Sequence, residues 1–253
     1  MLTERRHQEI LQLLSSNGSV TVQELKEHLG ASESTIRRDL NELHDRGTLI
    51  KVFGGAVRAE NAAVPIREEI GAQKTELHLE EKEQIARFAA SFVGENDFVF
   101  LDAGTTTGLM IRYLEPSNAV FVTNAVEHAR LLTEMGHRVI IIGGELKRKA
   151  EAIVGADAYD ALLKYHFTKG FFGANGADRT AGYTTPDLNE AKIKSCAMNR
   201  CKKSYVLADS SKFGQIASVR FGLFEDAVLL TESIPEAFAE CSNVFAPKVL
   251  RQA

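Results

Sequence analysis

Gly30 separates two short stretches of helical periodicity, and that arrangement constrains the N-terminal part of the chain more than any other feature. Before it, Thr21 and Glu24 have the spacing of a capping box, and Val22, Leu25 and Leu29 recur at helical intervals. After it, Ser32 can cap a helix whose Ile36, Leu40 and Leu43 share one face. At about 100° per residue, Ser34, Arg38 and Asn41 fall on the opposite face, with Arg37 at its edge. An earlier helix, capped by Thr3 and carrying Ile10, Leu13 and Leu14, ends at Asn17-Gly18. Gly47 closes the third helix, residues 48–53 read as a strand, and Ala56-Val57-Arg58 reads as its return. The pattern predicts a winged helix-turn-helix that lays its third helix in the DNA major groove. Ser34, Thr35, Arg37, Arg38 and Asn41 would meet the bases, and Lys51 and Arg58 of the wing would meet phosphates. A protein-contact module with solvated arginines is the alternative. The wing and the Ser-Thr-x-Arg-Arg ridge favour duplex DNA.

Charge weighs mildly the other way. The 253-residue chain has 30 basic and 34 acidic residues, a net charge of −4. Residues 32–58 carry five basic side chains (Arg37, Arg38, Arg46, Lys51, Arg58) against four acidic ones (Glu33, Asp39, Glu42, Asp45), a local balance of +1. This predicts few phosphate contacts and a shallow salt dependence. With 44% hydrophobic and 25% charged residues, the chain can bury an ordinary globular core. It has no run of 18 apolar residues, and its first residues lack the apolar stretch of a signal peptide, so a cytoplasmic protein without a membrane span is expected. Cys196, Cys201 and Cys241 lack CxxC spacing, and the seven histidines lack HxxxH or HExxH spacing. Neither a disulfide framework, a metal site nor a cofactor is expected.

Residues 60–77, with Val64-Pro65 and the charged Arg67-Glu68-Glu69, read as a linker between a head at 1–59 and a second domain at 78–253. From residue 78, apolar runs at 98–101, 120–122, 139–142, 171–172, 205–207 and 228–230 alternate with helical stretches. Near-continuous apolar strands of this kind predict an α/β domain with a mostly parallel sheet covered on both faces. Ligands in such sheets lie beyond the carboxyl ends of the strands. Asp102-Ala-Gly104-Thr105-Thr106-Thr107-Gly108 follows the first strand and opens a helix, an anion cradle without a P-loop lysine. Taken alone, the motif is also an N-capping turn. Thr123-Asn124 and Gly143-Gly144 follow the next two strands and could line the same pocket, although turn chemistry explains the glycines equally well. The basic run Lys147-Arg148-Lys149 beside them reads as solvated charge.

Residues 34–43 (Ser-Thr-Ile-Arg-Arg-Asp-Leu-Asn-Glu-Leu), Gly47 and Gly54-Gly55-Ala56 closely resemble the DeoR family of bacterial sugar-metabolism regulators. The resemblance continues through residues 102–107, Thr123-Asn124, Gly143-Gly144, Gly155, residues 173–178 (Gly-Ala-Asn-Gly-Ala-Asp) and residues 209–213 (Asp-Ser-Ser-Lys-Phe). It implies a DNA-binding head joined to a sugar-phosphate-sensing domain similar to ribose-5-phosphate isomerase, in a homodimer or homotetramer on double-stranded operator DNA. It also implies Lys212 as the phosphate's cation. Where the similar isomerase loop has Asp, this chain has Asn175. Asp178 is kept, and Glu190 is similar to that enzyme's catalytic glutamate. Asn175 cannot titrate and no lysine stands between 178 and 185, so no catalytic set is expected. Asp102, Asn175, Asp178 and Glu190 suit sugar hydroxyls instead. Residues 151–155 and 182–187 look like the fructose-operon repressors, which favours fructose 1-phosphate. Fructose 1,6-bisphosphate, tagatose phosphates and glycerol 3-phosphate remain open. An isomerase-like enzyme with a nucleic-acid-binding head, or an activator, are the competing readings.

Overall fold

The computed structural model describes residues 3–17, 19–45, 48–52, 55–58, 77–147 and 152–247. The chain divides into two compact units, Met1–Val64 and Pro65–Ala253. Gly18, Arg46, Gly47, Phe53, Gly54, Arg148, Lys149 and Glu151 lie outside the described residues, as do residues 60–76 of the expected linker.

The N-terminal unit runs α1 (Thr3–Asn17), β1 (Ser19–Thr21), α2 (Val22–Leu29), α3 (Glu33–Asp45), β2 (Leu49–Val52) and β3 (Gly55–Arg58). Thr3 is the first residue of α1 rather than its cap. The capping box is formed: Glu24 N donates to Thr21 Oγ1 at 3.1 Å, and Thr21 N donates to Glu24 Oε2 at 2.7 Å. Gly30 takes a left-handed φ of 60° and ends α2, which lets the chain turn without a Cβ clash. Ser32 caps α3 through Thr35 N at 3.2 Å. Ile10, Leu14, Leu25, Leu29, Ile36, Leu40 and Leu43 pack with Leu49 and Ala56 into one core. Each large aliphatic side chain there contributes about 2 kcal/mol by leaving water. The antiparallel wing strands β2 and β3 gain a third partner that the pattern does not predict, β1, paired Ser19↔Val57 to Thr21↔Gly55. Three residues are too few to show alternation, and the pairing is set by a strand far along the chain.

One charged cluster is buried in this unit. Arg6 grips Asp39 with two nitrogens, Nη2 at 2.8 Å and Nε closer still. His7 Nε2 lies 3.2 Å from the same carboxylate. Burial would raise the pKa of Asp39, but the Arg6 and His7 bonds outweigh it and hold the carboxyl below its ordinary range.

The second unit is built on a seven-stranded, all-parallel sheet. Its strands are β4 (Phe98–Leu101), β5 (Val120–Thr123), β6 (Arg138–Ile141), β9 (Phe167–Gly173), β12 (Cys201–Leu207), β14 (Val228–Leu230) and β15 (Val244–Phe245). Their order is β15-β14-β12-β9-β4-β5-β6. Alternate side chains enter two cores. Val99, Leu101, Phe121, Phe171, Tyr205 and Leu207 meet α4 (Leu79–Ala90) and α5 (Thr105–Met110) on one face. Phe100, Val122, Phe172 and Val206 meet α7 (Ala156–Leu162) and α8 (Leu188–Met198) on the other. Both faces are dry, which is why these strands read as continuous apolar runs. Helix α6 (Val126–Glu134) packs against β5 and β6. An antiparallel ribbon pairs β7 (Glu145–Leu146) with β8 (Ile153–Val154), and a small sheet joins β10 (Gly176–Asp178), β11 (Gly182–Thr185) and β13 (Val219–Gly222). From β4 the chain first fills one side of the sheet, β5 and β6, and later returns to the other through β9. The β4/β9 boundary is thus the topological switch point, where such sheets leave a crevice.

Candidate functional site

On α3, burial of Ile36, Leu40 and Leu43 turns Ser34, Arg37, Arg38 and Asn41 outward, with Thr35 half-buried. The hydroxyls of Ser34 and Thr35 lie 2.9 and 2.8 Å from Ser32 Oγ, so both are oriented by the cap. Arg37 pairs with Glu33 one turn back at 2.7 Å. Both side chains are about half exposed, so DNA phosphate or a base edge can displace this pair at little cost. Lys51 and Arg58 stand on β2 and β3, opposite Ala56 and Leu49. Their side chains lie outside the described residues.

In the second unit, the expected cradle sits at the switch point. Asp102 follows β4 and its backbone N–H donates to Phe171 O at 3.0 Å. Its Oδ2 accepts from Gly173 N at 3.0 Å, tying the ends of β4 and β9 together. The same oxygen pairs with Lys194 of α8, which also donates to Gly173 O at 3.1 Å and lies 5.5 Å from the Phe221 ring centroid. Asp102 is 2% and Lys194 5% exposed. Gly104 then caps α5 in an extended conformation, and the first N–H groups of the helix have no intrahelical acceptor. Thr105 is half-buried and Thr106 buried beside them.

Three expected ligand residues turn inward instead. Thr107 Oγ1 donates to Asp102 O at 2.6 Å and accepts from Gly104 N at 3.0 Å. Thr123 Oγ1 donates to Leu101 O at 2.7 Å and accepts from Ala125 N at 3.1 Å. Asn124 accepts from Ala103 N at 3.1 Å and donates to Ile153 O at 3.3 Å. All three are buried and shape the cradle through side-chain bonds to backbone groups, which sequence spacing does not distinguish from ligand contacts. Asp178 closes its own turn, accepting from Thr180 N and Ala181 N at 2.8 and 2.7 Å. Asn175 Oδ1 accepts from Thr185 Oγ1 at 3.3 Å. Gly143 is exposed two residues beyond β6.

Glu190 is held in an ion pair. Lys147 lies 2.9 Å from both Glu190 and Asp187 at the start of α8. Burial disfavours these charges, but their mutual bonds outweigh it. They hold Lys147 above and Asp187 below their ordinary values. Lys212 ends a 3-10 turn (Ser210–Lys212), and its neighbour Phe213 bridges to Ala177. It is half-buried, and its ammonium has no side-chain partner among the described residues.

Sequence reasoning misses two residues here, Lys194 and His128. Lys194 shares the buried face of α8 with Ala191, Ala197 and Met198, a lysine at an apolar helical position that could have marked it. His128 of α6 lies under α5. A Cβ at Gly108 would lie 2.6 Å from His128 Nε2, so only glycine lets the helix come this close. Nδ1 of His128 is buried without a hydrogen-bond partner among the described residues. Burial pushes this imidazole down to about 4, against the opposing pull of Asp102, Glu127 and a hydrogen bond to the Gly104 backbone. Among the described residues no group of three or more His, Cys, Asp or Glu side chains could hold a metal ion.

Residues 6–62 match the family described as DeoR-like helix-turn-helix domain, and residues 77–233 match the DeoR C terminal sensor domain. The chain is 40% identical over 237 residues to an uncharacterized HTH-type transcriptional regulator, FruR, of Bacillus subtilis (strain 168), covering 93% of each chain. It is 35% identical to the HTH-type transcriptional regulator IolR of the same organism, covering 91% of each. It is 34% identical to the lactose phosphotransferase system repressor of Streptococcus mutans serotype c, covering 85% of this chain and 86% of that one. The solved ribose 5-phosphate isomerase A of Methanocaldococcus jannaschii aligns over 54% of this chain and 55% of its own, at 18% identity and a TM-score of 0.41.

Proposed function

Because this chain belongs to the DeoR family of transcriptional regulators, we propose that it represses a sugar-catabolism operon and is released from DNA by a phosphorylated sugar, with fructose 1-phosphate the favoured effector. One observation carries the reading: the polar ridge of a helix-turn-helix and a strand-to-helix turn at Gly104, Thr105 and Thr106 beside the switch point of a parallel sheet occur in one chain. Residues 1–59 would be the DNA head, 60–77 the linker and 78–253 the sensor. Ser34, Thr35, Arg37, Arg38 and Asn41 would face base edges, and Lys51 and Arg58 the phosphates. Gly104, Thr105, Thr106 and Lys212 would hold the effector's phosphate. Asn175, Asp178 and Glu190 would meet its hydroxyls. Two-fold operators require at least a dimer. Binding releases DNA only through a differential affinity for two states of the protein. No helix among the described residues is long and apolar enough to cross a membrane, which suits a cytoplasmic protein.

The names of its relatives suit a regulator of sugar metabolism. One is a FruR and several are lactose phosphotransferase system repressors. Those relatives are regulators and so is this chain. The isomerase reading loses its base at Asn175, and of the two carboxylates that remain, Asp178 closes its own turn and Glu190 is bound to Lys147. A gel shift of the full chain on DNA from its own upstream region, titrated with fructose 1-phosphate, fructose 1,6-bisphosphate, tagatose 6-phosphate and glycerol 3-phosphate, tests the proposal. Fructose 1-phosphate should release the complex at the lowest concentration. Unchanged binding with every phosphate ester would remove the sensing role, and preference for another ester would remove only the fructose assignment.

A further inference from the structure

We propose that Lys194 is a positioning residue that makes the Gly104–Thr106 turn able to take an anion: it cancels the charge of Asp102 and thereby lets a phosphate settle there. The inference rests on the phosphate reading above and adds a residue and a mechanism to it.

Asp102 has a structural task. Its Oδ2 receives Gly173 N and so joins the two strands that meet at the switch point. That task places a carboxylate against the cradle, because Oδ2 lies 3.8 Å from the point a Cβ on Gly104 would occupy. Next to an incoming dianion, an uncompensated carboxylate 2% exposed would repel strongly, since water screens little there. Something must neutralise it. His128 stays uncharged at neutral pH because of its burial. Lys147 is engaged by Asp187 and Glu190. Among the described residues Lys194 is the cation that reaches Asp102.

Lys194 is also poorly placed to grip a ligand itself. An ammonium has three N–H donors. Here they meet Asp102 Oδ2, Gly173 O and the face of Phe221. The ammonium therefore acts through the carboxylate it neutralises. Lys212, without a side-chain partner among the described residues, is left for the phosphate. The two lysines divide the work: one balances the protein's own charge and the other the ligand's.

Calorimetry on the full chain with fructose 1-phosphate, inorganic phosphate and unphosphorylated fructose separates the possibilities. K194M should weaken binding of both anions about 100-fold, with unphosphorylated fructose as the uncharged control. D102N/K194M, with a neutral amide in place of the pair, should recover anion affinity to within about tenfold of wild type. Anion binding by K194M within threefold of wild type would overturn the inference. So would a double variant still about 100-fold weak, which would mean that Lys194 touches the ligand directly. If K194M does not fold, the double variant decides alone by the same criterion. A wild-type chain that binds neither anion would overturn the effector pocket, and this inference with it.

Discussion

His128 is a buried base without charge, and it has a consequence for acid stability. In the unfolded chain the ring takes a proton as pH falls through about 6.5, whereas the folded ring resists until about 4. Between those values the unfolded state binds the extra proton, so stability falls as pH falls. Above the window both states are neutral and the residue contributes nothing to the pH dependence. Urea denaturation at pH 7.5, 6.0, 5.0 and 4.5 should show H128Q losing about 3 kcal/mol less than wild type across the window. Equal slopes would mean that the ring is not buried as described. His137, also depressed by burial, leaves a residual slope of the same sign. Asp97 loses its contribution lower down, because the Lys169 bond outweighs burial and holds its carboxyl below 3.8. At this scale the sequence is legible where a motif states a role and opaque where a role depends on packing. Gly104 and Thr105 announce a strand-to-helix turn, but the inward turn of Thr107, Thr123 and Asn124 depends on carbonyls that three-dimensional folding brings beside them.

Among elements, the first helix and the third are locked by a charge pair. Arg6 and Asp39 bring α1 and α3 together with the carboxylate 1% exposed. Arg6→Met would leave that buried carboxylate with His7 alone as its charged partner, and the head should lose about 3 kcal/mol, read as a lowered melting temperature of its transition. Adding Asp39→Asn should restore most of the loss, because a neutral pair needs no counter-charge. Equal melting of wild type and Arg6→Met would show the pair to be solvated. The helices themselves were readable. The capping box at Thr21, the stop at Gly30 and the apolar face of α3 all act through residues within a few positions of one another. Strand β1 was not readable, because its partner β3 lies far away in sequence. Nor was the full length of β9, which begins at Phe167. Its first half carries Thr168 and Lys169, polar residues held by Asp97 at the opposite end of the sheet from the cradle.

For the whole molecule, the proposed division between a DNA head and a ligand-holding unit gives two reciprocal variants. Arg38→Ala should weaken operator binding by about 1–3 kcal/mol and leave fructose 1-phosphate affinity within twofold. Lys212→Ala should do the opposite. Gel shifts and calorimetry on both proteins check this, and damage to both activities in either variant would contradict the assignment. The alternation of apolar strands and helices was enough to predict a parallel sheet, but not its strand order, which is decided by pairings such as β4 with β9 that no local pattern encodes. That order has a consequence for biogenesis. Strands β4 to β6 end by residue 141, while the segments that complete the crevice, Gly173 and Lys194, are translated later. A nascent chain halted before α8 therefore carries Asp102 without its counter-ion and β9 without its partner β12. The proposed ligand turn is thus completed late on the ribosome, when α8 brings Lys194 to Asp102.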